Sequence, residues 1–285
     1  MALKTRIPPR TSSPEPDFSA GWKEVKVKQP NGEYEEIQIP LTPEERLHPE
    51  EGYIMPESII HARLIKRIND MLENRYANTP QIGVYSDLIV KWDKSELKHH
   101  CPDVMVIPHV QEREKQRSRF LVAKEGTRPT LIIEIVSPGS KEADRVTKVD
   151  HYARAGVQEY VYIDYWERTS GMVWELAGFR LAGDHYLPML PDEEGSLYCE
   201  TIGVRIGLKE GEVWMQDYES GEFLMTNLEA QAARQVAETQ AAYAETRATE
   251  AEARATEAEL RAAQEKAARE ALEVRLAELE GREKS

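Results

Sequence analysis

The sequence predicts an α/β domain built on a mixed sheet and followed by a long polar helix. Three observations predict it. The strand-like run Leu131–Val136 is followed by a helix-like stretch and a second apolar strand at Glu159–Tyr165, a βαβ unit whose strands pair in parallel. Between Met172 and Val213, short apolar pieces (VWEL, GFRL, HYLPML, TIGVRIGL) alternate with turns and read as an antiparallel meander beside that sheet. From Leu228 to about Glu280 the chain has no Pro or Gly and is dominated by Ala, Glu, Arg and Gln, a helix-forming composition.

Residues 1–20 are rich in Pro and Ser without periodicity, which predicts a disordered arm. Trp22–Ile39 reads as a hairpin, with WKEVKV, a Pro30-Asn31-Gly32 turn and EEIQIP. Thr42-Pro43-Glu44-Glu45 reads as a helix start. Ile59, Ile60, Leu64, Ile68, Met71 and Leu72 fall at helical spacing and predict a helix over Glu57–Tyr76. Gly83–Trp92 and Pro102–Pro108 read as strands. The polar stretch 110–128 holds Arg113, Lys115, Arg117, Arg119, Lys124 and Arg128 against Glu112, Glu114 and Glu125, and is either a solvated or a phosphate-binding loop. Lys141–Ala155 is a helix ended by Gly156. These boundaries divide the chain into an arm and hairpin at 1–44, the α/β domain at 45–227 and a helical tail at 228–285.

The net charge of −14 opposes non-specific attraction to nucleic acid, which needs clustered Lys and Arg. Only part of it sits in the tail, where 9 basic residues face 13 acidic ones beyond Asn227. Cys101 and Cys199 fit no metal-ligand spacing, so a reducing, cytoplasmic setting is expected. No stretch approaches the roughly 20 apolar residues of a membrane span, and the N-terminus lacks a signal-peptide core.

Two carboxylates interrupt apolar strands. Asp103 precedes VMVI, and Glu134 sits inside LIIEIV. A carboxylate in a buried strand is costly unless it is paired, protonated or metal-bound. On neighbouring strands the two would share one hard divalent cation such as Mg2+. Such a site supports phosphodiester hydrolysis, with a lysine stabilising charge nearby. The structural alternative is a turn aspartate and a glutamate paired with a surface arginine.

PDVMVI, LIIEIVSPGS, the following helix with Asp144, Arg145 and Lys148, and YARAGVQEYVYID at 152–164 together resemble the Uma-type family of putative restriction endonucleases, a branch of the PD-(D/E)xK nuclease superfamily. The resemblance covers roughly residues 45–210. It implies a restriction-endonuclease-like core, a central mixed sheet flanked by helices, and Mg2+-dependent cleavage of DNA, with Mn2+ as a possible substitute. It makes Asp103 and Glu134 catalytic metal ligands, adds the backbone carbonyl of Ile135 as a further ligand, and makes Lys148 the catalytic lysine. The superfamily lysine follows the glutamate by two residues; here that residue is Val136, and the family supplies the lysine from the next helix. On an ideal helix from 141, the apolar stripe runs through Ala143, Val146, Val149 and Ala153. Lys148 then lies on the opposite face with Lys141, Asp144 and Tyr152, and Lys141 is a fallback. Glu57 or Glu73 would add an acidic group from the first long helix. His61 reads as structural or exposed, and His99 and His100 lack partners for a zinc site. Ser137 reads as a turn-shaping residue.

In the tail, Ala237, Ala241, Ala244, Ala248, Ala251, Ala255, Ala258 and Ala262 follow 3-4 spacing, and Leu272, Leu276 and Leu279 resume the seam. Arg247, Arg254 and Arg261 fall at g and Glu245, Glu252 and Glu259 at e, which predicts a parallel homodimeric coiled coil. A single solvated helix is the alternative. At the level of function, a dimeric deoxyribonuclease therefore stands against a non-catalytic nuclease-like scaffold assembling through its tail, with action on RNA as a third reading.

Overall fold

A computed structural model of the chain describes residues 16–137 and 140–283, with side chains as far as Arg275. Most of the arm expected at 1–20, the Pro138-Gly139 stop and the side chains of Leu276 and Leu279 lie outside the described residues. The chain forms two compact units that divide between Asn227 and Leu228.

In the first unit, β1 (Trp22–Lys28) and β2 (Tyr34–Pro40) form the expected hairpin, with Val25 opposite Ile37. A short helix, α1 (Pro43–Leu47), starts on a capping box. Thr42 Oγ accepts from the Glu45 N–H, and the Glu45 carboxylate accepts from the Thr42 N–H. Ser58 caps α2 (Ile59–Arg75), whose Leu64, Ile68, Met71 and Leu72 are fully buried.

The run 83–92, expected as one strand, is two. β3 (Gly83–Tyr85) and β4 (Ile89–Lys91) are separated at Asp87, which turns the chain with φ of 50°. β5 (Val104–Ile107) follows. The polar stretch contains β6 (Arg119–Leu121), paired in parallel with β4, and the single turn α3 (Val122–Glu125). Its arginines are spent on the protein. Arg117 pairs with Glu125 at 3.0 Å, Arg119 with Glu50 at 3.0 Å and Arg128 with Asp93 at 2.7 Å, while Arg113 donates to the Tyr76 carbonyl. The arrangement is that of an internally braced loop, not of a phosphate cradle.

β7 (Leu131–Ile135) carries Glu134. A π-turn over Ala143–Thr147 runs directly into α4 (Lys148–Ala155), which ends on left-handed Gly156. β8 (Glu159–Arg168) then pairs with β7 in parallel, completing the βαβ unit. β9 (Gly171–Ala182) and β10 (His185–Pro188) extend the sheet antiparallel, giving the order β10-β9-β8-β7-β5-β3. The central sheet is mixed, as expected. β11 (Leu197–Cys199), β12 (Val204–Lys209) and β13 (Glu212–Asp217) form a separate antiparallel sheet.

Strand alternation sorts two cores. Val104, Val106, Leu131, Ile133 and Ile135 face α2 and the three-stranded sheet. Met105, Ile107, Ile132 and Val136 face the α4 side, with Trp92, Phe120, Tyr152 and Tyr160. Asp103 and Glu134 belong by alternation to the α4 side.

The second unit is one helix, α5 (Asn227–Glu283), 57 residues long. Its described side chains are almost all exposed, and Glu250–Arg254, Glu257–Arg261 and Arg269–Glu273 pair along it. Among the described residues no helix is long and apolar enough to cross a membrane.

Candidate active site

Antiparallel pairing of β5 with β7 sets Val104 against Ile133, and the register carried one residue further sets Asp103 beside Glu134. Asp103 is fixed by the backbone, since its Oδ2 accepts the Ile135 N–H at 2.6 Å. In extended backbone a residue's N–H and C=O point to the same edge, so the Ile135 carbonyl lies on the Asp103 side. Glu134 is 2% exposed, and its Oε1 receives the Tyr152 hydroxyl at 2.7 Å and Lys148 Nζ at 3.0 Å.

Lys148 does not lie on a solvated face. It is buried, and its Nζ bridges Glu134 and Asp144, the latter at 2.7 Å. The residues grouped with it on one helical face, Asp144 and Tyr152, are buried too, whereas Val146 of the supposed apolar stripe is 64% exposed. The face turned inward is the polar one. The Lys148 N–H bonds the Ala143 carbonyl, five residues back, so the helix takes an extra residue before α4 begins. Tyr160 anchors that turn by donating to the Asp144 carbonyl at 2.7 Å. The extra residue also removes Lys141 from the inner face. Lys141 pairs with Asp164 at 2.9 Å and lies over Trp166, which rules it out as the fallback lysine. Val136, where the superfamily lysine stands, is a buried member of the α4-side core.

Electrostatics follow from this packing. Burial disfavours the charge on Lys148, but Asp144, Glu134 and Asp103 outweigh it and hold the ammonium protonated, its pKa raised. Burial pushes Glu134 the other way, upward, with Asp103 and Asp144 adding repulsion against the pull of Lys148.

His61, expected to be structural or exposed, is a member of the site. It is 6% exposed, with Nε2 3.2 Å from Asp103 Oδ2 and Nδ1 3.2 Å from Glu57 Oε2. Burial opposes its charge, yet the close Asp103 and Glu57 carboxylates raise it to about 11, favouring the imidazolium. Of the two acidic candidates on this segment, Glu57 lines the cleft and Glu73 is exposed elsewhere. Asp87, unmarked by any sequence pattern, also lines the cleft; desolvation and repulsion from Glu57 and Asp103 push it up to about 6. Ser137 shapes the turn with Ser140, at 2.9 Å between their hydroxyls.

These groups line a cleft of about 510 Å³, which also reaches Ser19, Arg46, Met55 and Tyr165. Among the described residues, five carboxylates (Glu57, Asp87, Asp103, Glu134 and Asp144) line it against three basic groups, Arg46, His61 and Lys148. A hard-oxygen donor set with surplus negative charge, in which two carboxylic acids are pushed up, fits a divalent ion such as Mg2+.

Among solved structures, the chain is similar to a crystal structure described as a putative nuclease belonging to DUF820 from Anabaena variabilis ATCC 29413. The identity is 17% and the TM-score 0.36, over 52% of this chain and 76% of that one. No curated protein matches it significantly. A family model does, over residues 32–206, the span from the hairpin through β12 that holds Asp103, Glu134, Lys148 and His61. With well over half of its length matched, the chain belongs to the Uma2 family, described as putative restriction endonucleases.

Proposed function

We propose that the cleft is the active site of a Mg2+-dependent endonuclease that hydrolyses DNA phosphodiester bonds, with Mn2+ as a substitute ion. The reading rests on one observation, the meeting of Asp103, Glu134 and Lys148 in a single cleft from three separate elements. Asp103, Glu134 and the Ile135 carbonyl would hold the ion. When bound, it supplies Lewis-acid stabilisation of phosphoryl oxygens and a water of lowered pKa. The chain's own groups do the positioning. Tyr152 ties up one oxygen of Glu134, His61 braces Asp103 against Glu57, and Lys148 presents a fixed ammonium to charge developing on the phosphate. DNA is the substrate expected of a restriction-endonuclease family.

The test is cleavage of plasmid and single-stranded DNA with Mg2+ or Mn2+. Wild type cuts, Glu134→Ala falls by about 10³-fold or more, and Lys148→Ala loses turnover while still binding the ion. An inactive wild type, or an equally active Glu134→Ala, replaces this reading with a nuclease-like scaffold, which the acidic body favours.

The tail is proposed as a parallel homodimeric coiled coil, its alanine seam flanked by arginines at g and glutamates at e. Such a dimer suits cutting of two strands. The full chain should sediment as a dimer and lose that state when residues 228–285 are removed; a monomer at tens of micromolar leaves α5 a solvated single helix. A reducing cytoplasm, where both free cysteines persist as thiols, is the proposed setting.

A further inference from the structure

Behind the carboxylate cleft, three histidines from distant parts of the chain converge. His48 follows α1, His100 lies where the chain bridges to Val90 of β4, and His151 is on α4. One ring nitrogen from each falls within 4.8 Å of the other two. His48 and His100 are buried, and His151 is half-buried.

We propose that His48, His100 and His151 form a metal centre for a borderline transition-metal ion of the Zn2+ class, separate from the oxygen-lined cleft. Imidazole nitrogens select Zn2+, Co2+ or Ni2+ over Mg2+, so the two sites take different ions. The outer shell is in place on one ligand: His48 Nδ1–H donates to the His99 carbonyl at 2.8 Å, which leaves Nε2 as its bare nitrogen. Among the described residues no hydrogen bond reaches that Nε2. The Glu44 carboxylate stands 3.8 Å from it, on the exposed side, where it also holds Lys98, so the fourth position falls to Glu44 or water.

The hydrogen bonds at His100 define what binding must change. Trp92 Nε1–H can only donate, and it lies 2.8 Å from His100 Nδ1. The His100 proton is therefore on Nε2, from which it is given to His151 Nδ1 at 3.0 Å. Ligation through Nε2 moves that proton to Nδ1 and breaks the Trp92 bond. One neutral hydrogen bond is a small loss beside a set of metal–nitrogen bonds. Trp92 thus reports occupancy. The ion would pin α4 to the loop after α1 and to the β4 edge, three residues beyond Lys148 and next to Tyr152, whose ring meets His100 at 5.1 Å between centroids. Its role is to hold the helix that supplies the lysine.

The experiment uses the full-length, tag-free chain stripped by chelator and titrated with Co2+ and then Zn2+. One Co2+ per chain with the visible absorption of tetrahedral coordination, displaced by Zn2+ and accompanied by a change in tryptophan emission, is expected. His48→Gln and His151→Gln, whose folding is checked by circular dichroism, should each weaken binding at least tenfold. The Asp103→Asn/Glu134→Gln double variant should keep the signal. Absence of tetrahedral Co2+ in the wild type overturns the proposal. So does a signal lost in the carboxylate double variant but kept in both histidine variants. Neither outcome bears on DNA cleavage, which is read separately with Mg2+.

Discussion

Two glutamates lie buried on adjacent strands of the same sheet, and they are held in opposite ways. Glu159, at the start of β8, is fully buried and fully answered. It receives Arg180 Nε and Nη2, the N–H groups of Glu200 and Thr201, and the Thr201 hydroxyl. Glu134, on β7, has two donors, Lys148 and Tyr152, and both address one oxygen. A buried carboxylate surrounded on all sides is part of the scaffold. One answered on one side and open to a carboxylate-rich cleft is kept for something else.

Breaking the scaffold member should have the larger effect on stability. Glu159→Ala leaves two backbone donors and the Thr201 hydroxyl without their acceptor, and Arg180 with only Glu200 and the Tyr198 carbonyl, and should cost about 3–5 kcal/mol, measured by urea denaturation. Glu134→Gln removes a charge that burial already disfavours and should stay within about 1 kcal/mol while abolishing cleavage. Equal losses would erase the contrast. Lys148→Met comes next. It leaves Asp144 and Glu134 without their cation and should cost about 2–4 kcal/mol. If the cleft binds a divalent ion, added Mg2+ recovers part of that loss, whereas the same ion leaves Glu159→Ala unchanged. A further contrast concerns pH. The pKa of His61 is raised from 6.5 to about 11 in the folded protein. Its contribution is therefore full below pH 6.5 and declines as pH rises toward 11. Stability should fall by on the order of 1–3 kcal/mol between pH 7 and 10, and His61→Asn should flatten that slope.

Glu134 and Asp103 were legible because a charge in a β-branched run is a local anomaly, visible without knowing what packs on it. The βαβ unit and the helix start at Thr42 were equally local. His61 was not, since its meaning depends on Asp103, 42 positions away. The three clustered histidines are spread from 48 to 151, and only the tertiary fold brings them together. Splitting of 83–92 turns on the Ser86-Asp87 step, a polar pair too short to mark a turn against the apolar residues on either side, and only the left-handed Asp87 in the fold shows it. The inward face of the helix after β7 was misjudged for a different reason. Asp144, Lys148 and Tyr152 do share one face, but a face bearing a lysine and an aspartate reads as solvated unless the carboxylate it meets, Glu134 on β7, is known.

The π-turn before α4 makes the address of the lysine a matter of counting. Deleting one residue between Ala143 and Thr147 would restore the regular winding and swing everything before it by about 100° relative to α4. Asp144 would then stand three residues before Lys148 instead of four, and its carbonyl would shift away from Tyr160. The geometry of the cleft is therefore sensitive to a change in length that alters none of its named side chains, and a missing codon can displace these groups as a substituted one can.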